Sequence, residues 1–227
     1  MIVQAKRDLT YLNEVDLKVR GGKVVDKKCK TYECKYATGV HPKIKAMLDE
    51  YSAIPEFQRV LGKAVNDFEQ REELGCFMAD ALKWGAKADL AIVNAGGVRY
   101  SDKEAGDITV NDILRLDPFG NKLGCVESTG EELVKALDEM KSLDEYGPPY
   151  VAGFKYTISM EKKRADVKLT NEDGSKFNMK KTYKVAMSDF TSITAKSLAS
   201  KTQTDTEKST AGIIMEYGEM LGTVDYK

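Results

Sequence analysis

The apolar residues of this chain change period repeatedly, and that constrains the fold more than any other feature. Leu17-Lys-Val19 and Val24-Val25 flank Gly21-Gly22, a two-residue turn signal, so the first 37 residues read as strands around a hairpin. His41-Pro42 then opens a helix with Ile44, Met47, Leu48 and Tyr51 at i, i+3, i+4 and i+7. Pro42 suits a first helical turn, and the helix is expected to end within residues 52–55, as a connector between two bodies. Beyond it, residues 60–65 and 89–93 read as strands. Leu74, Phe77, Met78, Ala81 and Leu82 form the stripe of a helix that stops at Gly85. Thr109-x-x-Asp112 and Thr129-x-x-Glu132 are capping boxes, the first opening a helix through Leu114, the second one that carries Leu133, Leu137 and Met140. Residues 122–127, 154–160, 167–170 and 183–187 read as strands. Asn171-Glu-Asp-Gly174 reads as a hairpin turn, residues 192–208 as a polar mobile loop and residues 213–221 as a closing helix. Strands and helices interleave without strict β-α-β alternation. The expected fold class is therefore α+β, a mixed sheet with packed helices.

Function is narrowed first by a single count. The chain has one histidine, His41. That removes a His-rich dinuclear metal site and H-E-x-x-H zinc proteolysis, and a Ser-His-Asp triad would have to be built around His41 alone. At the head of a helix, His41 reads as a helix-entry residue and not as a catalyst. Lys+Arg number 35 and Asp+Glu 36, a net charge of −1 that argues against a general nucleic-acid binder. No run approaches the ~18 apolar residues of a membrane span. Residues 1–10 show no signal-peptide pattern, as in a cytosolic chain or in a mature or truncated form of a longer one. None of the four cysteines sits in C-x-x-C spacing. Cys29 and Cys34 are either a disulfide or two free surface thiols, whereas Cys76 and Cys125 lie in apolar patterns and are expected to be buried.

Four places carry chemistry. Asn94-Ala-Gly-Gly-Val-Arg99 follows a strand. Its glycines let backbone N–H groups approach an anion, and Arg99 adds a forked donor for phosphate or carboxylate. On spacing alone, a Gly-rich turn with a surface Arg is the simpler reading, since neither the P-loop nor the G-x-G-x-x-G pattern is present. Pro118-Phe119-Gly120-Asn121 sets a ring on a turn, where it either stacks on a base or anchors the loop in the core. Asp189-Phe190, directly after a strand, poses the same choice. Arg71 precedes the Leu74 stripe and either faces a ligand or is a solvated helix-start residue.

Together these segments are more specific than any one of them. Asn94 to Arg99, Gly106-Asp-Ile-Thr109, Pro118 to Asn121, Ser128-Thr-Gly130-Glu-Glu-Leu133, Val151-Ala-Gly-Phe-Lys-Tyr-Thr157 and Tyr183-Lys-Val-Ala-Met-Ser-Asp-Phe190 occur in this order. The series resembles the C-terminal domain of the 5′-nucleotidase family, which includes UDP-sugar hydrolases, over roughly residues 56–220. Ile2-Val-Gln-Ala5, Tyr11-Leu12 and Val15-Asp-Leu17 resemble the last strands of that family's metallophosphoesterase domain. The helix from His41 resembles the linker on which the family's two domains rotate. The implied organisation is residues 1–40 as the tail of a metallophosphoesterase domain, 41–55 as the linker helix and 56–227 as the nucleotide-recognition domain.

The resemblance implies roles for named residues. Phe119 and Phe190 match the two rings that clamp the nucleobase, and Asn121 matches the Asn that hydrogen-bonds it. Asn94, Gly96, Arg99 and, as the nearest upstream match, Arg71 fall on the ribose and phosphate side. One departure stands out: the family's Gly-Gly-Asp-Gly stretch after the second ring, whose Asp bonds the ribose hydroxyls, is replaced by Thr-Ser-Ile-Thr-Ala-Lys196. Hydrolysis in the family uses a divalent metal pair of the Zn or Mn type, held by Asp-x-His and Gly-Asn-His-Glu patterns that these 227 residues lack. No cofactor is therefore expected in this chain, and it is expected to bind without hydrolysing. The expected partners are a nucleotide or nucleoside and a metallophosphoesterase domain, in cis or as a separate chain. The expected location, by family, is periplasmic, secreted or cell-surface. The alternative is a free-standing nucleotide-binding or interaction module without catalysis.

Overall fold

The structure is a computed structural model that describes residues 1–6, 9–100, 102–141, 147–161 and 164–226. The chain divides into two compact units, residues 1–52 and 53–227. In the first, β1 (Tyr11–Arg20) and β2 (Lys23–Glu33) form an antiparallel hairpin through Gly21-Gly22, and α1 (Pro42–Ser52) follows. The His41 carbonyl accepts the Lys45 N–H at 2.9 Å, so His41 does stand at the helix entry. Cys29 and Cys34 are both free thiols. Cys29 lies on β2 and Cys34 just beyond its end. Five residues of extended chain span ~16 Å, against the ~7 Å that a disulfide bridges between Cα atoms.

The second unit begins with α2 (Pro55–Gln58), β3 (Val60–Ala64), α3 (Arg71–Gly85) and β4 (Leu90–Val93). It continues through β5 (Gly106–Thr109), α4 (Val110–Leu116), β6 (Lys122–Thr129), α5 (Gly130–Lys141) and β7 (Tyr150–Ala152). β8 (Lys155–Glu161), β9 (Arg164–Thr170), β10 (Thr182–Ser188), α6 (Asp189–Thr194) and α7 (Lys196–Ala199) follow. β11 (Gln203–Ser209), α8 (Thr210–Leu221) and β12 (Thr223–Val224) close it. Both expected capping boxes form: Thr109 Oγ1 accepts the Asp112 N–H at 3.3 Å, and Thr129 Oγ1 accepts the Glu132 N–H at 3.3 Å.

The main sheet is mixed, in the order β11-β6-β10-β4-β7, with β10 parallel to β4 and the other three pairs antiparallel. A second sheet runs β12-β3-β5, and β8 pairs with β9. The fold is α+β. Side chains alternate across the main sheet. Ala91, Val93 and Ala186 join a core with α3 and α8 (Phe77, Leu82, Ile214), while Ile92, Val185 and Met187 join a core with α5 and α7 (Leu133, Leu137, Leu198). β4 is buried along its whole length, as a central strand covered on both faces must be.

Three expectations need correction. Residues 192–208 are not a loop: they hold the end of α6, α7 and most of β11, which pairs with β6. Ala195 and Leu198, three positions apart in this polar stretch, are fully buried and anchor it. Asn171 to Gly174 is a turn, but it leads from β9 to an isolated bridge, Thr170 to Lys176, and not into a hairpin partner strand. Cys76 and Cys125 are only partly buried, and burial pushes both thiols up from their ordinary pKa.

Candidate functional site

The strand directions bring three ends of the main sheet to one edge. β4 and β10 are parallel, so their C-terminal ends lie together. β6 is antiparallel to β10 with Leu123 opposite Ser188, so its N-terminal end lies there too. Residues 94–99, 117–121 and 188–191 therefore meet at one place. Crevices at the carboxyl ends of strands are where open α/β sheets place ligands.

The first segment leaves β4 through Asn94 and a tight turn, Ala95–Gly97, closed by the Gly97 N–H donating to the Asn94 carbonyl at 2.9 Å. The approach at Gly97 is close: a Cβ there would stand 3.0 Å from Asn94 Oδ1 and press on the Asn94 side chain. Gly96 sits mid-turn, partly buried. The exposed Arg99 is held by its backbone N–H, which donates to the Leu116 carbonyl at 3.0 Å near the end of α4.

The second segment is the turn from α4 into β6. Asp117 is 3% exposed and ends α4. Its carboxylate accepts the Thr210 hydroxyl and the Phe119 backbone N–H, so it braces the ring-bearing turn from below. Burial pushes the Asp117 carboxyl above its ordinary pKa. The two hydrogen bonds pull it down, and the nearby Asp189 adds to the rise. Gly120 takes the left-handed backbone, φ +65°, that swings the chain into β6. The Asn121 carbonyl accepts the Thr210 N–H at 2.9 Å, at the start of α8.

The third segment caps α6. Ser188 Oγ accepts the Thr191 N–H at 2.9 Å, and Thr191 Oγ1 donates to Asn94 Oδ1 at 3.0 Å. Asp189 Oδ1 accepts the N–H of Phe190 at 2.8 Å and of Lys122 at 3.1 Å. Asp189 thus ties the turn of Phe190 to the strand that follows Asn121.

At this edge Phe119, Phe190 and Arg99 are exposed to solvent. Phe119 and Phe190 are each 51% exposed, so neither is a core anchor. The Arg99 guanidinium lies over the Phe119 ring, 5.7 Å from its centroid, within cation–π range. An aromatic face and a forked donor are presented side by side. The structure brings Asn94, Gly96, Arg99, Phe119, Asn121 and Phe190 to this edge. It places Arg71, partly buried, on another element as the first residue of α3, whose start is closed by a Gln70/Glu73 capping box. Sequence reasoning did not find Asp117, Thr191 or Thr210, and named Asp189 only as the neighbour of Phe190. For Thr191, the Ser188-x-x-Thr191 hydroxyl cap was the available signal.

A cavity of about 490 Å³ opens elsewhere in this unit. Five carboxylates (Asp67, Glu69, Asp102, Glu104 and Asp112) face two cations, Lys103 and Arg115. That balance disfavours a phosphate. The residues present do not fit a divalent metal pair either. His41 is the one histidine, and among the described residues no group of three or more His, Cys, Asp or Glu is placed to hold an ion. Among the described residues, no helix is long and apolar enough to cross a membrane.

Comparison with known proteins gives the family of this chain. A family model described as "5′-nucleotidase, C-terminal domain" matches residues 57–199. The trifunctional nucleotide phosphoesterase YfkN of Bacillus subtilis is 34% identical over 167 residues, 68% of this chain and 11% of that protein. A 5′-nucleotidase of Vibrio cholerae is 36% identical over 127 residues, 54% of this chain and 22% of its own length. The crystal structure of a 5′-nucleotidase precursor from Thermus thermophilus superposes with a TM-score of 0.72 at 22% identity, covering 96% of this chain and 48% of that one. The chain thus spans only 11 to 22% of the length of these two curated relatives.

Proposed function

The chain belongs to the 5′-nucleotidase C-terminal domain family, and on that premise we propose that it is the substrate-recognition part of a metal-dependent 5′-nucleotide phosphohydrolase. One observation carries this reading: the half-exposed rings of Phe119 and Phe190 stand on turns braced to one another, with the Arg99 guanidinium over the first ring. A flat ring stacked on aromatic faces gains ~1–3 kcal/mol per base. Two faces reward a nucleobase over a shapeless apolar group.

In this reading the base lies between Phe119 and Phe190, and the Asn121 side chain hydrogen-bonds its edge. Arg99 addresses the phosphate with two N–H donors, beside the turn at Gly96. Asn94 holds the base of that turn, and Arg71 joins the phosphate side by family resemblance alone. Residues 1–40 are the tail of a metallophosphoesterase domain, 41–55 the linker and 56–227 the recognition domain. Phosphoryl transfer belongs to a metallophosphoesterase domain whose metal-binding patterns lie outside these 227 residues. The chemistry that a divalent metal pair would supply, activation of water and stabilisation of charge on the phosphoryl group, would belong to that domain and not to these residues. This chain's own part is to hold and orient the nucleotide.

Calorimetric titration with a panel of nucleosides and 5′-mononucleotides tests the reading. At least one member of the panel is expected to bind, and Phe119→Ala is expected to weaken it roughly 5- to 150-fold. Affinity that Phe119→Ala leaves unchanged overturns the clamp.

A further inference from the structure

Two helices join Arg59, between α2 and β3, to the turn that carries Phe119. α4 opens where the Val110 N–H donates to the Arg59 carbonyl at 3.0 Å, and it ends at Asp117. α8 opens at Thr210, whose hydroxyl donates to the Asp117 carboxylate. Near its other end Glu219 pairs with the Arg59 guanidinium, which also reaches Glu56 at 3.1 Å. The two helices are neighbours. They run antiparallel and are tied at both ends, at Arg59 and at the Asp117–Thr210 pair.

This frame has little slack. The end of α8 lies directly on β3: a Cβ at Gly62 would stand 3.0 Å from the Gly218 carbonyl oxygen. Ile113 and Leu116 of α4 share one core with Ile213 and Ile214 of α8. A close-packed interior transmits a shift instead of absorbing it. At the start of α8, the Asp117 carboxylate that takes the Thr210 hydroxyl also takes the Phe119 N–H. The Thr210 N–H donates to the Asn121 carbonyl at 2.9 Å. Thr210 therefore holds the turn on both sides of Phe119. Twelve residues of helix span ~18 Å, which sets Arg59 well away from the ring it bears on. The Arg59 and Glu219 side chains are 43% and 46% exposed. Exposed ion pairs add little to stability, so a variant here keeps the fold and an effect on binding can be read by itself.

We propose that Arg59 is a remote positioning residue: its ion pair with Glu219 fixes the seat of α8, and α8 fixes the pose of Phe119. The proposal rests on the reading of Phe119 as a nucleobase contact.

The test is a double-mutant cycle on affinity, which isolates what a pair does together. The parent chain, Arg59→Ala, Glu219→Ala and the double variant are titrated with adenosine, guanosine and cytidine 5′-monophosphates, with Phe119→Ala alongside. For a nucleotide that binds, each single variant is expected to weaken affinity about two- to fivefold, the range an exposed ion pair can supply. The double variant is expected to be no weaker than either single one. Melting temperatures are expected to stay within about 4 °C of the parent. The amide signals of residues 117–121 are expected to move in Arg59→Ala before any nucleotide is added. Single variants that bind as the parent does, losses that add in the double variant, or unmoved amides at 117–121, with the Phe119 dependence intact, overturn the inference and leave the proposed function standing. Binding of none of the three nucleotides, or binding indifferent to Phe119→Ala, overturns the nucleotide reading and the inference with it.

Discussion

Thr191 is 1% exposed, yet its hydroxyl joins the end of β4 to the helix that carries Phe190. Replacing it by Val keeps the shape and removes the donor. Asn94 Oδ1 is then a buried acceptor without that partner, at a cost of ~1–3 kcal/mol. Thr191→Val is therefore expected to lower the melting temperature by roughly 2–10 °C and to weaken nucleotide binding, because Phe190 loses its brace. A variant as stable and as tight as the parent would show that the hydroxyl positions nothing. This residue also marks what was legible. Phe119, Phe190 and Arg99 were named from the ordered series of motifs, since each local pattern by itself left a core or surface alternative open. Thr191, Asp117 and Thr210 were not, because the partner of a buried hydroxyl or carboxylate is set by how distant strands pair.

Most elements were visible in the sequence: the capping boxes of α4 and α5, the stripe of α3 and the hairpin of β1 and β2 all form where the patterns put them. The stretch from 192 to 208 was not. Its Ser, Thr and Lys residues signal solvent, and two small motifs overrule them. Ala195 and Leu198 are buried against the core beneath α5, and β11 borrows its strand character from β6. An edge strand needs little apolar content of its own when its neighbour supplies the ladder. Leu198→Ala discriminates the two readings by thermal unfolding. In a mobile loop it would change nothing. In the packed segment it leaves a cavity costing ~2–5 kcal/mol, expected as a fall of roughly 5–15 °C.

At the scale of the whole chain, the two compact units are residues 1–52 and 53–227, so α1 falls in the first unit with the hairpin. The second unit is built so that β4, β6 and β10 deliver three turns to one sheet edge. The strand order that does this could not be read from local pattern, since β10 pairs with strands some 60 and 90 positions earlier in the chain. The single histidine, at the entry of α1, leaves these residues without the ligand set of a metal pair. The purified chain with added Zn²⁺ or Mn²⁺ is accordingly expected to release no phosphate from 5′-mononucleotides. Turnover that persists through repurification would refute that. The account's central claim, that this sheet edge is a nucleotide-recognition surface, is tested most directly by mapping amide chemical shifts during titration with a 5′-mononucleotide that binds. The account predicts that the largest shifts fall on residues 94–99, 119–121 and 189–191. Shifts centred instead on the acidic cavity around Tyr100 and Arg115, with those three segments silent, would contradict it.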